Sequence, residues 1–185
     1  MSDLIFEKFP SIKRMKRGCV ITEKLDGTNA QIQFNADGDI LCGSRKRRIV
    51  PGDDNAGFAK WAYENQIALM DTLGEGKHYG EWWGSGIGRK YGFKNGEKMF
   101  SLFNTGRWNA ENTANVDQLR AVPVLYTGDF DTGMVDATLY NLRETGSIAA
   151  PRFMKPEGIV VFHSQLKEMF KITFEHDAKG KPFGA

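Results

Sequence analysis

The sequence predicts a mixed α+β fold built on antiparallel β-sheets with flanking helices. Three observations lead there. Gln31-Ile32-Gln33-Phe34 alternates, turns through Asn35-Ala36-Asp37-Gly38-Asp39 and returns as Ile40-Leu41-Cys42, the pattern of a β-hairpin. Gly158–Phe162 and Glu168–Phe174 form a second antiparallel pair late in the chain. Two stretches of helical spacing stand between these hairpins.

Taken in order, residues 19–23 read as a strand, followed by the hairpin above. Asp53-Asp54-Asn55 offers helix caps before Phe58, Trp61, Ala62, Leu69 and Leu73, which predict one helix stopped by Gly74. These aromatics read as core. His78–Trp83 and Met99–Asn104 predict strands. The loop between them holds Gly84, Gly86, Gly88, Gly92 and Gly96 but no Gly-Lys-Ser/Thr, so it is not a phosphate loop. Val122–Tyr126 predicts a further strand. Asp131 or Thr132 would cap a helix through Leu139 and Leu142 that ends near Gly146, and 151–156 is a loop.

Composition narrows the class. A chain of 185 residues with 41% hydrophobic and 26% charged residues is ordinary globular usage and fits one domain spanning 1–185. No apolar run approaches the ~20 residues of a membrane span. The N-terminus lacks the basic-then-apolar design of a secretory signal. Cys19 and Cys42 are the only cysteines and form no Cys-x-x-Cys pair, so neither a disulfide framework nor a zinc site is indicated. A reducing, cytoplasmic compartment is the expectation. Net charge is only +2, yet Lys13-Arg14, Lys16-Arg17 and Arg45-Lys46-Arg47-Arg48 are clustered. Such clusters are either solvated faces or neutralise nucleic-acid phosphates.

The stretch that carries chemistry is Lys24-Leu25-Asp26-Gly27-Thr28-Asn29. A lysine amine, with a reference pKa of about 10.4, is a nucleophile only where its surroundings favour the neutral form and an electrophile is held close. The alternative is a strand end and polar Asp-Gly turn with a solvated lysine. The hexapeptide resembles the Lys-x-Asp-Gly-x-Asn motif of the covalent lysine nucleotidyltransferases, the ligase and mRNA-capping superfamily. Further stretches resemble that superfamily's other motifs in the correct order: Ser44-Arg45; Tyr79-Gly80-Glu81-Trp82-Trp83-Gly84; Phe100-Ser101-Leu102-Phe103; Glu157-Gly158-Ile159-Val160-Val161; and Phe170-Lys171-Ile172-Thr173. The resemblance is closest to ATP-dependent RNA ligases of the bacteriophage type. It implies a single nucleotidyltransferase domain of the ATP-grasp-like adenylation kind. Fourteen residues follow Lys171, too few for the five-stranded OB barrel that DNA ligases append, so no OB domain is expected.

The resemblance implies roles. Lys24 would attack the α-phosphorus of ATP and carry AMP. Glu157, with Asp26, would hold a divalent ion, Mg²⁺ or Mn²⁺. Lys171 would hold the α-phosphate, Glu81 and Arg45 the ribose and polynucleotide end, and Phe103 would stack on adenine. Glu23 would accept from the adenine amino group, and Asn29 completes the nucleotide-binding motif. Arg45, Lys46, Arg47 and Arg48 would meet nucleic-acid phosphates. The partners implied are RNA ends, nicked or single-stranded, with DNA ends as the alternative and no membrane. One departure stands out: the family's last motif carries two lysines one residue apart, whereas the partner of Lys171 is Thr173 or Met169. Lys167 or Lys179 are the candidates to replace it. Two other readings stay open: a DNA ligase core lacking its OB domain, and a nucleic-acid-binding module with a vestigial adenylation site.

Overall fold

The computed structural model describes residues 5–177. Ten strands and three helices follow one another as β1 (Gly18–Lys24), β2 (Thr28–Phe34), β3 (Ile40–Ser44), β4 (Arg48–Ile49), α1 (Phe58–Glu64), α2 (Gln66–Leu73), β5 (Gly76–Gly84), β6 (Lys98–Leu102), β7 (Leu119–Ala121), β8 (Val124–Asp129), α3 (Thr132–Thr145), β9 (Gly158–His163) and β10 (Glu168–Thr173). They make two sheets. The smaller has the order β10-β9-β1-β8 and the larger β4-β3-β2-β5-β6-β7. Every pairing is antiparallel except β6 with β7, which is parallel.

Each sheet buries one face. In β2 the inward positions Ala30, Ile32 and Phe34 alternate with Asn29, Gln31 and Gln33. The inward set packs with Phe58, Trp61, Leu69 and Leu73 of α1 and α2 and with Trp82 and Phe100 across the sheet. In β1 the inward positions are Cys19, Ile21 and Glu23. Cys19 and Ile21 meet Ile159, Val161, Val135, Leu139 and Leu142, under α3. A third cluster of Leu25, Trp83, Tyr91, Val122 and Ala150 joins the two sheets beneath the β1–β2 link.

The structure departs from the sequence expectations in five places. The single helix over 58–73 is two, broken at Asn65, whose φ of −108° and ψ of 17° leave the helical region. Asp54 caps from upstream: its carboxylate accepts from the amides of Asn55, Ala59 and Lys60. The strand at 99–104 stops at Leu102, leaving Phe103 and Asn104 beyond it. The strand expected at Val122–Tyr126 begins at Val124, because the Val122 amide donates to the Leu102 carbonyl instead of joining β8. The short β4 and β7 carry no pattern long enough to announce them. At α3 the choice of cap resolves to Asp131, whose side chain accepts from the amides of Gly133 and Met134.

Candidate active site

The chain leaves the smaller sheet at Lys24 and enters the larger one at Thr28, so residues 25–27 form a three-residue seam between them. Its tightness explains the glycine. A Cβ on Gly27 would sit 2.4 Å from the Trp82 carbonyl oxygen and 2.8 Å from the Trp83 Cβ. Gly27 instead donates its amide to Glu81 Oε1 at 3.1 Å, and Asn29 Nδ2 donates to Glu81 Oε2 at 3.0 Å. On the other side of the seam the Asp26 amide donates to the Tyr91 hydroxyl at 2.8 Å.

Strand alternation aims Lys24 away from the α3 side, and its Nζ lies 2.7 Å from Glu157 Oε2. Both side chains are partly buried, at 24% and 18% exposure, so this pair is less screened than a surface ion pair. Lys24, Gly158 and Thr173 form one row across the sheet; Thr22, Val160 and Lys171 form another, two residues along on the same face. Lys171 therefore shares the face of Lys24, displaced about 7 Å along the strands and about 10 Å across them. Of the two positions open to a second lysine, Met169 lies one row beyond Lys171 and Thr173 lies in the Lys24 row. The Thr173 hydroxyl donates to Asp177 Oδ2 at 3.1 Å, and its side chain is turned to that local contact. Lys167 sits in the β9–β10 turn at the far end of the strand, and Lys179 lies outside the described residues.

The larger sheet presents Asn29, Glu81 and Ser101 in one row and Gln31 and Tyr79 in the next, with Phe103 hydrogen-bonded through its amide to Tyr79. Phe103 is 40% exposed and Tyr79 51%. Burial pushes the Glu81 carboxyl up to about 7, against the opposing pull of the Lys24 charge and the Gly27 hydrogen bond; the Glu157 and Asp26 charges raise it further. Arg45 and Lys46 stand exposed in the β3–β4 turn, at the end of the sheet where β2 begins. Arg48 is exposed in β4, and Arg47 pairs with Asp53 at 2.7 Å.

Glu23 does not join Lys24 on its face. Alternation turns it to the opposite face from Lys24, where it is 1% exposed. Its carboxylate accepts from Ser147 Oγ and the amides of Ile148 and Ala149, anchoring the turn after α3. Burial raises its pKa in spite of those hydrogen bonds. The adenine contact expected of Glu23 is not what these bonds arrange.

Two residues that sequence reasoning passed over belong to the site. Arg89 and Tyr91 come from the glycine-rich loop after β5, and Arg89 Nε lies 3.5 Å from Asp26 Oδ2. The signal was an arginine and a tyrosine set among glycines directly after the Glu81 strand, in a loop set aside for lacking a phosphate-loop pattern. Cavities of about 190 Å³ beside α3 and about 360 Å³ at the start of β1 lie away from Lys24. Lys24 instead stands on an open face between the sheets.

Two carboxylates with hard oxygens, Glu157 and Asp26, flank Lys24 in part-exposed positions. Among the described residues no group of three or more His, Cys, Asp or Glu could form a metal cage. Mg²⁺ is commonly held by one or two carboxylates with retained waters and substrate phosphates, so this donor set fits such an ion. Among the same residues no helix is long and apolar enough to cross a membrane.

Comparison with curated proteins finds no match. Among solved structures, an apo mutant of the Naegleria gruberi RNA ligase aligns at 19% identity with a TM-score of 0.57. A mutant of that ligase with ATP and Mn aligns at 20% and 0.59, and the ligase with PPi at 21% and 0.58. Each alignment covers 86% of this chain and 50%, 49% and 50% of the respective structure, so the chain spans about half their length. This likeness shows the fold, that of an RNA ligase nucleotidyltransferase domain, and no OB barrel is present among the described residues. The profile of the RNA ligase family matches residues 17–173, and with most of its length inside that match the chain belongs to the RNA ligase family.

Proposed function

We propose that the chain is an ATP-dependent RNA ligase that joins 3′-hydroxyl and 5′-phosphate ends through a covalent lysyl-AMP. The observation that carries this reading is the Lys24–Glu157 pair at 2.7 Å, on the sheet face that also bears Lys171. The neighbouring structures with ATP and Mn and with PPi support a nucleotide and a divalent ion for the family.

At rest Glu157 Oε2 holds Lys24 as the ammonium; the positive charge of Lys171, and of a divalent ion when bound, would favour loss of that proton, for which Glu157 is the acceptor within hydrogen-bond reach. The free amine attacks the α-phosphorus of ATP; the P–N bond forms, the bond to the β-phosphate oxygen breaks, and pyrophosphate leaves. An oxygen of a 5′-phosphate then attacks the same phosphorus and the P–N bond breaks, the leaving lysine nitrogen taking back the proton held by Glu157. Finally a 3′-hydroxyl attacks the activated 5′-phosphate, loses its proton and expels AMP. Glu81, locked by Gly27 and Asn29, orients the ribose, and Phe103 offers its exposed ring to the base. Lys171 supplies positive charge to the non-bridging oxygens. Glu157 and Asp26 would hold Mg²⁺ or Mn²⁺, which supplies further charge neutralisation when bound.

The test is intact mass after incubation with ATP and a divalent ion, followed by ligation of nicked RNA, single-stranded RNA and nicked DNA. One added AMP and RNA joining are expected; a protein that never gains AMP overturns the reading. One observation favours a second reading, a nucleic-acid-binding module that no longer adenylates itself: neither neighbour of Lys171 on its face, Met169 or Thr173, is a lysine, and Thr173 is tied to Asp177.

A further inference from the structure

The charges around Lys24 do not balance for a triphosphate. Asp26, Glu81 and Glu157 act on one another electrostatically, and Glu175 stands nearby on the same side as Arg89. Against these four carboxylates are Lys24, Lys171 and Arg89. A nucleotide triphosphate would add several more negative charges, so the site needs each cation to face the phosphates. Lys171 is one row away, and Thr173 brings no charge.

Arg89 is a cation held at the seam by Asp26. Its side chain is 19% exposed and lies between two carboxylates, with Nε 3.5 Å from Asp26 Oδ2 and Nη2 hydrogen-bonded to Glu175 Oε1. Asp26 follows Lys24 by two residues, and Glu175 follows Thr173 by two, so Arg89 bridges the ends of two strands whose last residues share the Lys24 row. The loop that brings it is pinned by Tyr91 on the Asp26 amide and by Gly88, where a Cβ would sit 2.7 Å from the Asp26 carboxyl carbon. Yet the guanidinium is not saturated. Nε is buried with no hydrogen-bond partner among the described residues, and one Glu175 oxygen accounts for a single hydrogen bond of the five N–H donors available. A buried donor without a partner is costly, and a fork of free N–H groups matches a phosphate. Glu175, 58% exposed, can swing into water at little expense.

We propose that Arg89 binds the β- and γ-phosphates of the nucleotide, and that Glu175 occupies this arginine until the triphosphate displaces it. The inference rests on the adenylation reading above and names the part of the site that grips the leaving group.

The test compares Arg89→Ala, Arg89→Lys and Glu175→Gln in the full chain, following AMP-adduct formation across ATP concentrations and titrating inorganic triphosphate by calorimetry. Losing charge-assisted hydrogen bonds should raise half-saturating ATP in Arg89→Ala by about ten- to hundredfold and weaken triphosphate binding alike. Arg89→Lys should recover part of both. Glu175→Gln carries the decisive sign. Removing a competing carboxylate should lower half-saturating ATP a few-fold, about 0.5 log unit or less, as expected for an exposed partner. A clamp that merely fixes the loop would instead be weakened by Glu175→Gln, so unchanged or raised half-saturating ATP in that variant overturns the proposal. Unaltered triphosphate binding in Arg89→Ala also overturns it. Triphosphate binding does not require adenylation, so a wild-type protein that binds it through Arg89 but gains no AMP overturns the ligase reading and leaves the anion site standing.

Discussion

The two sheets divide the work unequally. The larger is backed by two helices and an aromatic core in which Phe58 stands 5.5 Å from Trp82 and 4.9 Å from Phe100, ring centre to ring centre. The smaller is backed by α3 alone, and its other face carries Lys24 and Lys171 with exposed Phe162 and Met169. One sheet is packed for rigidity and lends Glu81 and Asn29. The other is half open and supplies the nucleophile. A substitution in the first should therefore be read mainly in stability, and one in the second mainly in chemistry.

Lys24→Ala should break the comparison most completely on the chemical side. Adduct formation should vanish by intact mass while the protein stays folded, with a lowered thermal midpoint because Glu157, at 18% exposure, loses its partner. Glu157→Ala comes next. A general base contributes about 10²–10⁴-fold, so adduct formation at saturating ATP should fall within that range in rapid-quench assays, with a smaller change in half-saturating ATP. A larger effect on affinity than on rate would remove Glu157 from the proton-transfer role.

Phe100→Ala tests the other sheet. Phe100 is fully buried against Phe58 and Trp61, and its truncation should cost about 3–5 kcal/mol in chemical denaturation. Ile159→Val, behind the open sheet, should cost only about 0.5–1.5 kcal/mol.

Glu81 links the sheets through pH. Its folded pKa of about 7 stands above the ordinary carboxylate value, so the folded protein holds its proton longer than the unfolded chain. Its contribution to stability is complete below the usual carboxylate range and is lost as pH rises through about 7. Nucleotide affinity should move the other way, strengthening as the carboxylate ionises and can accept from the ribose. Denaturation and nucleotide titrations between pH 5 and 8.5 on wild type and Glu81→Gln check both slopes, and both should flatten in the variant.

The smallest effect belongs to the basic turn. Replacing Lys46 and Arg47 should weaken joining of a pre-adenylated RNA end by several-fold at about 150 mM salt and less at low salt, leaving self-adenylation unchanged. Arg47 already pairs with Asp53 on the surface, so most of the loss should trace to Lys46. A salt-titrated ligation assay reads this directly.

What could be read from the sequence follows from the range of the interactions. The hairpins, the α3 cap and the seam motif are written in neighbouring residues, through alternation, turn chemistry and a glycine that must pass close to β5. The break at Asn65 was hidden because Phe58, Trp61, Leu69 and Leu73 keep a helical spacing across it. Alternation alone sets Glu23 on the side opposite Lys24; what the sequence hides is its anchor, Ser147 and the amides that follow, more than 120 residues away. Arg89 and Tyr91 were missed for a related reason: their partners Asp26 and Glu175 are more than sixty residues distant on either side.

The seam also has a thermodynamic signature that needs no nucleotide. Two of its three amides, on Asp26 and Gly27, are held by Tyr91 and Glu81 and by no strand ladder. Their hydrogen exchange is therefore governed by local openings that separate the sheets, whereas Ile32, within the ladder, exchanges only through larger unfolding. Deuterium uptake at these two positions, compared with that at Ile32, would measure how often the nucleophile loses its alignment in the resting protein.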